Sequence, residues 1–213
     1  PVGGADVARV RDPLGHLASE VVEGSGDLGL SYIGFNVTVS PFDDVHVRRA
    51  FNLGLDKRRL ADIVLDGAAL PVDTILPPGM PGFDADLHPY PHDADAARAE
   101  LSASRFGGPA GLPPITLDVP GEGGGAQLPE AVADQLSATL GISVTVEQTP
   151  WATYQAELDS GAYDMFMLGW AADYADPQDF LDVLFHGRSP MNHSMYADAE
   201  VDAWLEAARV ERD

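Results

Sequence analysis

Three aspartates recur at three-residue intervals in Gly169-Trp170-Ala171-Ala172-Asp173-Tyr174-Ala175-Asp176-Pro177-Gln178-Asp179-Phe180, directly after the apolar run from Tyr163 to Leu168. Carboxylates in such an array can transfer protons, ligate a metal, anchor a cation or cap a helix, and their neighbours separate these uses. Asp176 precedes Pro177, and proline suits the first helical position, so Asp176 reads as the N-cap of a helix running through Phe180 and Leu184. Asp179 then falls at the third helical position, where its charge favours the positive end of the helix. Asp173 has no evident local task. It is either a ligand contact or a solvated acid that caps a turn. Asp173 and Asp176 together would be the minimum for a glycoside hydrolase, an alternative weakened because one of the two already looks committed to capping.

Other chemistry is poorly supplied. The glycine run Gly121 to Gly125 lacks the Lys-Ser/Thr of a phosphate-binding loop. His88 and His92 are four residues apart, but Pro89 and Pro91 prevent the helix that would align them as metal ligands. His186 and His193 flank an irregular turn. The nucleophile elbow and the zinc-protease helix motif are both missing, and with zero cysteines there is no thiolate ligand or nucleophile. No metal and no cofactor are expected.

The elements that must position Asp173 can be read from periodicity. Ser31 to Val37 alternates as a strand. Asp43 and Asp44 open a helix with Val47, Ala50, Phe51, Gly54 and Leu55 inward, and Asp56 caps a second with Leu60, Ile63 and Val64 inward, stopped at Gly67. The prolines of 68–92 exclude regular helix and predict an ordered surface loop. An alanine-rich helix over 93–106 leads to a strand over 115–119, a helix over 129–140 ended by Gly141, a strand over 142–147, a short helix over 151–160 and a buried strand over 163–168. A last helix, 199–210, places Val201, Trp204, Leu205 and Ala208 on one apolar face, with Trp204 read as core. Residues 1–29 form a leader to this core.

That alternation predicts an α/β fold with helices packed on a largely parallel sheet, where ligands bind beyond the carboxyl ends of the strands. The loops leaving Val119, Val146 and Leu168 then bring Trp151, Trp170, Asp173 and Tyr174 around one cleft. Aromatic walls with a single carboxylate suit a cationic or amphipathic ligand. Twelve basic against 34 acidic residues give a net charge of -22, which repels nucleic acid and anionic lipid. No run of about 18 apolar residues is present to span a bilayer.

Beyond these patterns, YIGFNVTVSPFDDVHVRRAFNLGLDKRRLADIVLDGAA, LPPGMPGFD, DADAARAEL, LGISVTVEQTPWATYQAELDSGAYDMFMLGWAADYADPQDFL and NHSMYADAEVDAWLEAA together resemble the second lobe of extracellular solute-binding proteins of the oligopeptide/dipeptide type, which serve ABC importers. The resemblance implies a periplasmic-binding-protein-like type II fold, with a small solute held between two lobes and delivered to membrane permease subunits, and no enzyme activity. Complete members carry an export signal, commonly with a lipoprotein cysteine, and a first lobe to which the chain returns. Residues 1–29 would then be the connector and 30–213 the second ligand-binding lobe, without the C-terminal return segment, in a protein working outside the cytoplasm.

In peptide-binding members an acid in the matching segment pairs with the ligand's α-amino group, and the corresponding residue is Asp173. Trp151 matches a pocket tryptophan of that family, and Trp170 borders the acid. Met167 stands where some oligopeptide binders carry an arginine that meets the peptide carboxylate. The ligand class therefore stays open among peptides, opines, sugars and metal complexes. A surface interaction module remains the further alternative, marked by a broad exposed apolar patch in place of a cleft.

Overall fold

The computed structural model describes residues 28–65, 69–123 and 125–211. Of the expected leader only Leu28 and Gly29 fall within them, and the helix stop at Gly67 lies outside, as does Gly124 of the glycine run. Four strands, β1 (Gly29–Phe35), β2 (Ile115–Pro120), β3 (Val144–Thr149) and β4 (Met165–Ala171), form one sheet in the order β1-β4-β2-β3. The central β2 runs parallel to both β3 and β4, and β1 is antiparallel to β4. The sheet is mixed and largely parallel, as expected.

Alternation in the strands supplies both faces. Ile115, Leu117 and Val119 of β2 are buried, with Met165 of β4, against Val47, Ala50 and Phe51 of α1 (Val45–Gly54), Ala97 and Leu101 of α3 (Ala94–Ala103), and Val132, Leu136 and Leu140 of α4 (Gln127–Leu140). The Phe42 ring fills this core, stacked on Phe35 at 4.6 Å and edge-on to Phe51 at 5.3 Å, spacings at which aromatic rings attract beyond their buried area. On the other face, Phe166 of β4 packs with Tyr163 under Tyr154 and Leu158 of α5 (Trp151–Asp159). Further along that face, Phe180 and Leu184 of α6 (Gln178–Phe185) join Leu76 and Met80 of the proline-rich segment, with Leu30 and Trp170 against them. Helices thus cover both faces.

Helix starts follow from side-chain chemistry. Asp44 accepts the His46 N–H at 2.9 Å, Asp56 the Arg59 N–H at 3.0 Å, and Asp93 and Asp198 likewise receive first-turn amides of α3 and α7 (Ala199–Ala208). Gly141 ends α4 at φ 71°, a left-handed conformation that favours glycine. The proline-rich stretch is irregular, and its Asp73 is tied to Lys57 and to His88.

Two expectations fail. The helix begun by α2 (Lys57–Arg59) widens into a π turn over Leu60–Val64, closed by the Leu65 N–H on the Leu60 carbonyl. The added residue turns Ile63 outward, leaving it 65% exposed, while Leu60 and Ala61 are buried. Trp204 is 63% exposed and α7 buries no residue fully, with Val201 and Leu205 only half-buried. Strand limits also move by about two residues, since pairing and not composition sets them: β3 begins at Val144, opposite Ile115, and ends at Thr149, opposite Pro120. No helix among the described residues is long and apolar enough to cross a membrane.

Candidate functional site

The parallel strands end at Pro120, Thr149 and Ala171, so the segments that follow them share one edge of the sheet. After Pro120, the Gly121 N–H donates to the Thr149 carbonyl at 2.9 Å and the Gly123 N–H to the Gln148 side chain at 2.9 Å. A Cβ at Gly121 would stand 3.1 Å from that side chain, so glycine permits the close approach. Gly121 and Gly123 are thus folded back onto β3.

After Thr149, Pro150 leads directly into α5, which makes Trp151 its first residue and leaves it 54% exposed at the edge. Its ring stacks on Tyr154 with centroids 6.1 Å apart, and Tyr154 stacks in turn on Tyr163 at 5.0 Å. The buried Tyr154 hydroxyl donates to the Met167 carbonyl at 2.8 Å and has the Asp118 carbonyl at 3.3 Å, joining α5 to β4 and β2. Burial pushes this phenol well above its ordinary range. Trp151 is therefore an exposed ring on a fixed base. Residue types did not point to Tyr154; the available signal was its i+3 spacing from Trp151.

After Ala171, the aspartates take up separate positions. Asp176 accepts the Gln178 N–H at 2.8 Å on its side chain and the Asp179 N–H at 3.1 Å on its carbonyl, so it serves the start of α6, but the helix begins at Gln178, one residue later than expected, with Pro177 and not Asp176 at the N-cap position. Asp179 does more than complement the helix. It is 2% exposed, and one of its oxygens receives both the Trp170 indole N–H and the Asp173 backbone N–H, each at 3.2 Å. Tyr174 is 48% exposed, with its hydroxyl on the Gln178 side chain. Desolvation, then the carboxylates of Asp179, Asp176 and Asp173, raise that phenol above its ordinary range.

Asp173 itself is exposed, and its carboxylate has no hydrogen-bond or ion-pair partner among the described residues. Trp170, half-buried, lies two residues before the loop that carries it. The structure thus places Trp151, Trp170, Asp173 and Tyr174 on segments of one edge. Met167 differs from Trp170 in the face it uses: its half-buried side chain packs with the main core, opposite in parity to Trp170. It offers apolar surface and no charge.

The described depressions lie elsewhere. One of about 400 Å³ is lined by Gln178, Asp182, His186, Arg188 and Arg209, where Arg209 is paired with Asp182 and Arg188 with Glu206. Another of about 360 Å³ lies over β2 and the start of β4, between Asp118, Glu147, Glu157 and Asp164. Burial and then the charges of Glu147, Asp164 and Glu157 push Asp118 up to about 6. Neither includes Asp173, Trp151 or Tyr174, each of which is exposed. Among the described residues no group of three or more His, Asp or Glu is arranged to hold a metal ion.

Comparison with known proteins supplies the context for such an open edge. The family model of bacterial extracellular solute-binding proteins, family 5 middle, matches residues 9–192. The chain is 26% identical to the oligopeptide-binding protein OppA of Bacillus subtilis, over 94% of this chain and 40% of that protein. It is 29% identical to the heme-binding protein A of Haemophilus influenzae, over 96% of this chain and 37% of that protein. Among solved structures it superposes with a TM-score of 0.79 and 26% identity on the ABC transporter-associated periplasmic binding protein DppA from Helicobacter pylori, in complex with the peptide STSA, covering 91% of this chain and 38% of that one. The fold is that of type II periplasmic binding proteins. The chain spans about two fifths of the length of the curated relatives it matches.

Proposed function

Because the chain belongs to the bacterial extracellular solute-binding proteins of family 5, we propose that it forms one lobe of the substrate-binding component of an ABC importer, which captures a small peptide-like solute and delivers it to membrane permease subunits. Residues 30–213 supply one wall of the site, and a first lobe, joined through residues 1–29, supplies the other. The open edge supports this division: a wall with exposed aromatic rings and an unpaired acid needs a facing surface before it can bury a ligand. The protein works outside the cytoplasm, held at the membrane by a lipid anchor.

The observation that carries the reading is Asp173, a carboxylate without a partner among the described residues, beside Trp170 and Tyr174. It anchors a cationic group such as a free peptide amine, while Trp151, Trp170 and Tyr174 supply apolar walls. Met167 carries no cation for a ligand carboxylate, and its side chain packs with the main core on the face opposite Trp170. The protein acts without catalysis; the paired-carboxylate hydrolase finds no second free acid, since Asp176 and Asp179 are both occupied by N–H groups.

Calorimetry on the protein carrying both lobes tests this, with trialanine and N-acetyl-trialanine as probes. Asp173→Asn is expected to weaken trialanine binding by about 1–3 kcal/mol and to leave the acetylated peptide little changed. Equal affinity of wild type and variant for trialanine would remove Asp173 from the site.

A further inference from the structure

We infer that Asp179 is the positioning residue of this site: a single buried carboxylate oxygen fixes the Trp170 ring and the backbone of Asp173 together, pre-setting both for a cationic group. The inference rests on the reading of Trp170 and Asp173 as ligand contacts. Asp179 lies in the first turn of α6, Trp170 near the end of β4 and Asp173 in the loop between them. Its two hydrogen bonds, each 3.2 Å, therefore clasp strand, loop and helix at one point. An acid that served only the helix dipole would keep its charge in water. Asp179 is 2% exposed, and an ionised group taken that far from water needs the N–H groups it receives.

Two consequences bear on recognition. The Asp173 main chain is held before any ligand arrives, so its carboxylate projects from a fixed backbone and binding orders less of the chain. The Trp170 indole donates to a charged acceptor, which makes its ring more electron-rich and a better face for an ammonium or guanidinium. Because one oxygen serves both groups, a displacement of the Asp173 loop moves the acceptor of Trp170, and the indole N–H reports the state of the anchor.

Hydrogen exchange and chemical shifts measured by NMR on the labelled chain test this without any ligand. In Asp179→Leu, exchange of the Trp170 indole N–H and of the Asp173 amide should both rise by roughly tenfold or more, with sheet amides such as Leu117 unchanged. Asp179→Asn keeps an acceptor oxygen and should restore most of the protection, while moving the indole proton upfield as a charged acceptor becomes neutral. The inference is overturned if either proton keeps its wild-type exchange in Asp179→Leu, if the sheet amides accelerate in step with it, or if Asp179→Asn restores nothing. Should Asp179→Leu not fold, the Asn variant decides alone, and an unmoved indole proton overturns the proposal. Failure of the Asp173→Asn binding test with these exchange results intact would refute the ligand assignment and not the clasp.

Discussion

Replacing Asp118 by Asn should make the protein more stable above pH 6 and no more stable near pH 3. Asp118 lies on the face of β2 away from the main core, directly opposite Glu147 of β3 and Phe166 of β4. Glu157 of α5 and Asp164 before β4 share its depression, and the Tyr154, Tyr163 and Tyr32 phenols of the same face are neutral, each raised above its ordinary range by burial. No cation lines that depression. Desolvation first, and the three acids second, lift Asp118 from the usual 3.8 to about 6.

An acid whose folded value is raised is favoured in its protonated form by folding. Between about 3.8 and about 6 the folded chain holds a proton that the unfolded chain has lost, so stability falls as pH rises through that window and stays low above it. A rise of roughly two pH units is worth about 3 kcal/mol at 1.36 kcal/mol per unit, and water over the half-buried group reduces this to about 1–3 kcal/mol. Urea unfolding of wild type and Asp118→Asn at pH 8 and pH 3 measures it. The variant should gain about 1–3 kcal/mol at pH 8, shrinking at 1 M salt as the repulsive part is screened, and nothing at pH 3, where Asp118 is protonated in the folded and the unfolded chain alike. No gain at pH 8, or an equal gain at pH 3, refutes the reasoning.

Gly34→Ala should destabilise by about 1–3 kcal/mol in the same unfolding assay, because a Cβ there would stand 2.2 Å from the ring of Phe166, which is fixed in the core. Phe180→Ala should cost about 3–5 kcal/mol as a buried ring is replaced by a cavity, whereas Trp204→Ala, of larger volume but largely exposed, should stay within about 0.5 kcal/mol. A Trp204 loss near that of Phe180 would mean that α7 packs against more of this chain than the described residues.

What could be read in advance follows from the range of the forces involved. Caps and alternation act over two to four residues, so Asp44, Asp56, Asp93 and Gly141 delimited helices and the strands of β2 and β3 declared themselves by their apolar period. The carboxyl edge followed from strand order, and it collected Trp151, Trp170, Asp173 and Tyr174 before any contact was known. Failures came where a partner outside the local window decides. A helical period cannot tell a face that will be covered from one that will not, which is why Trp204 read as core, and it cannot register the extra residue of a π turn, which is why Ile63 did. Asp179 shows the same limit inside the site. Its position in the helix predicted a structural acid correctly, but the two N–H groups it holds lie six and nine residues back, across a strand end and a loop. An acid placed for its own helix is indistinguishable in sequence from one placed for its neighbours. Only the direction of the side chain separates an acid that receives the first helical N–H, such as Asp176, an exposed acid such as Asp173 and the clasp formed by Asp179.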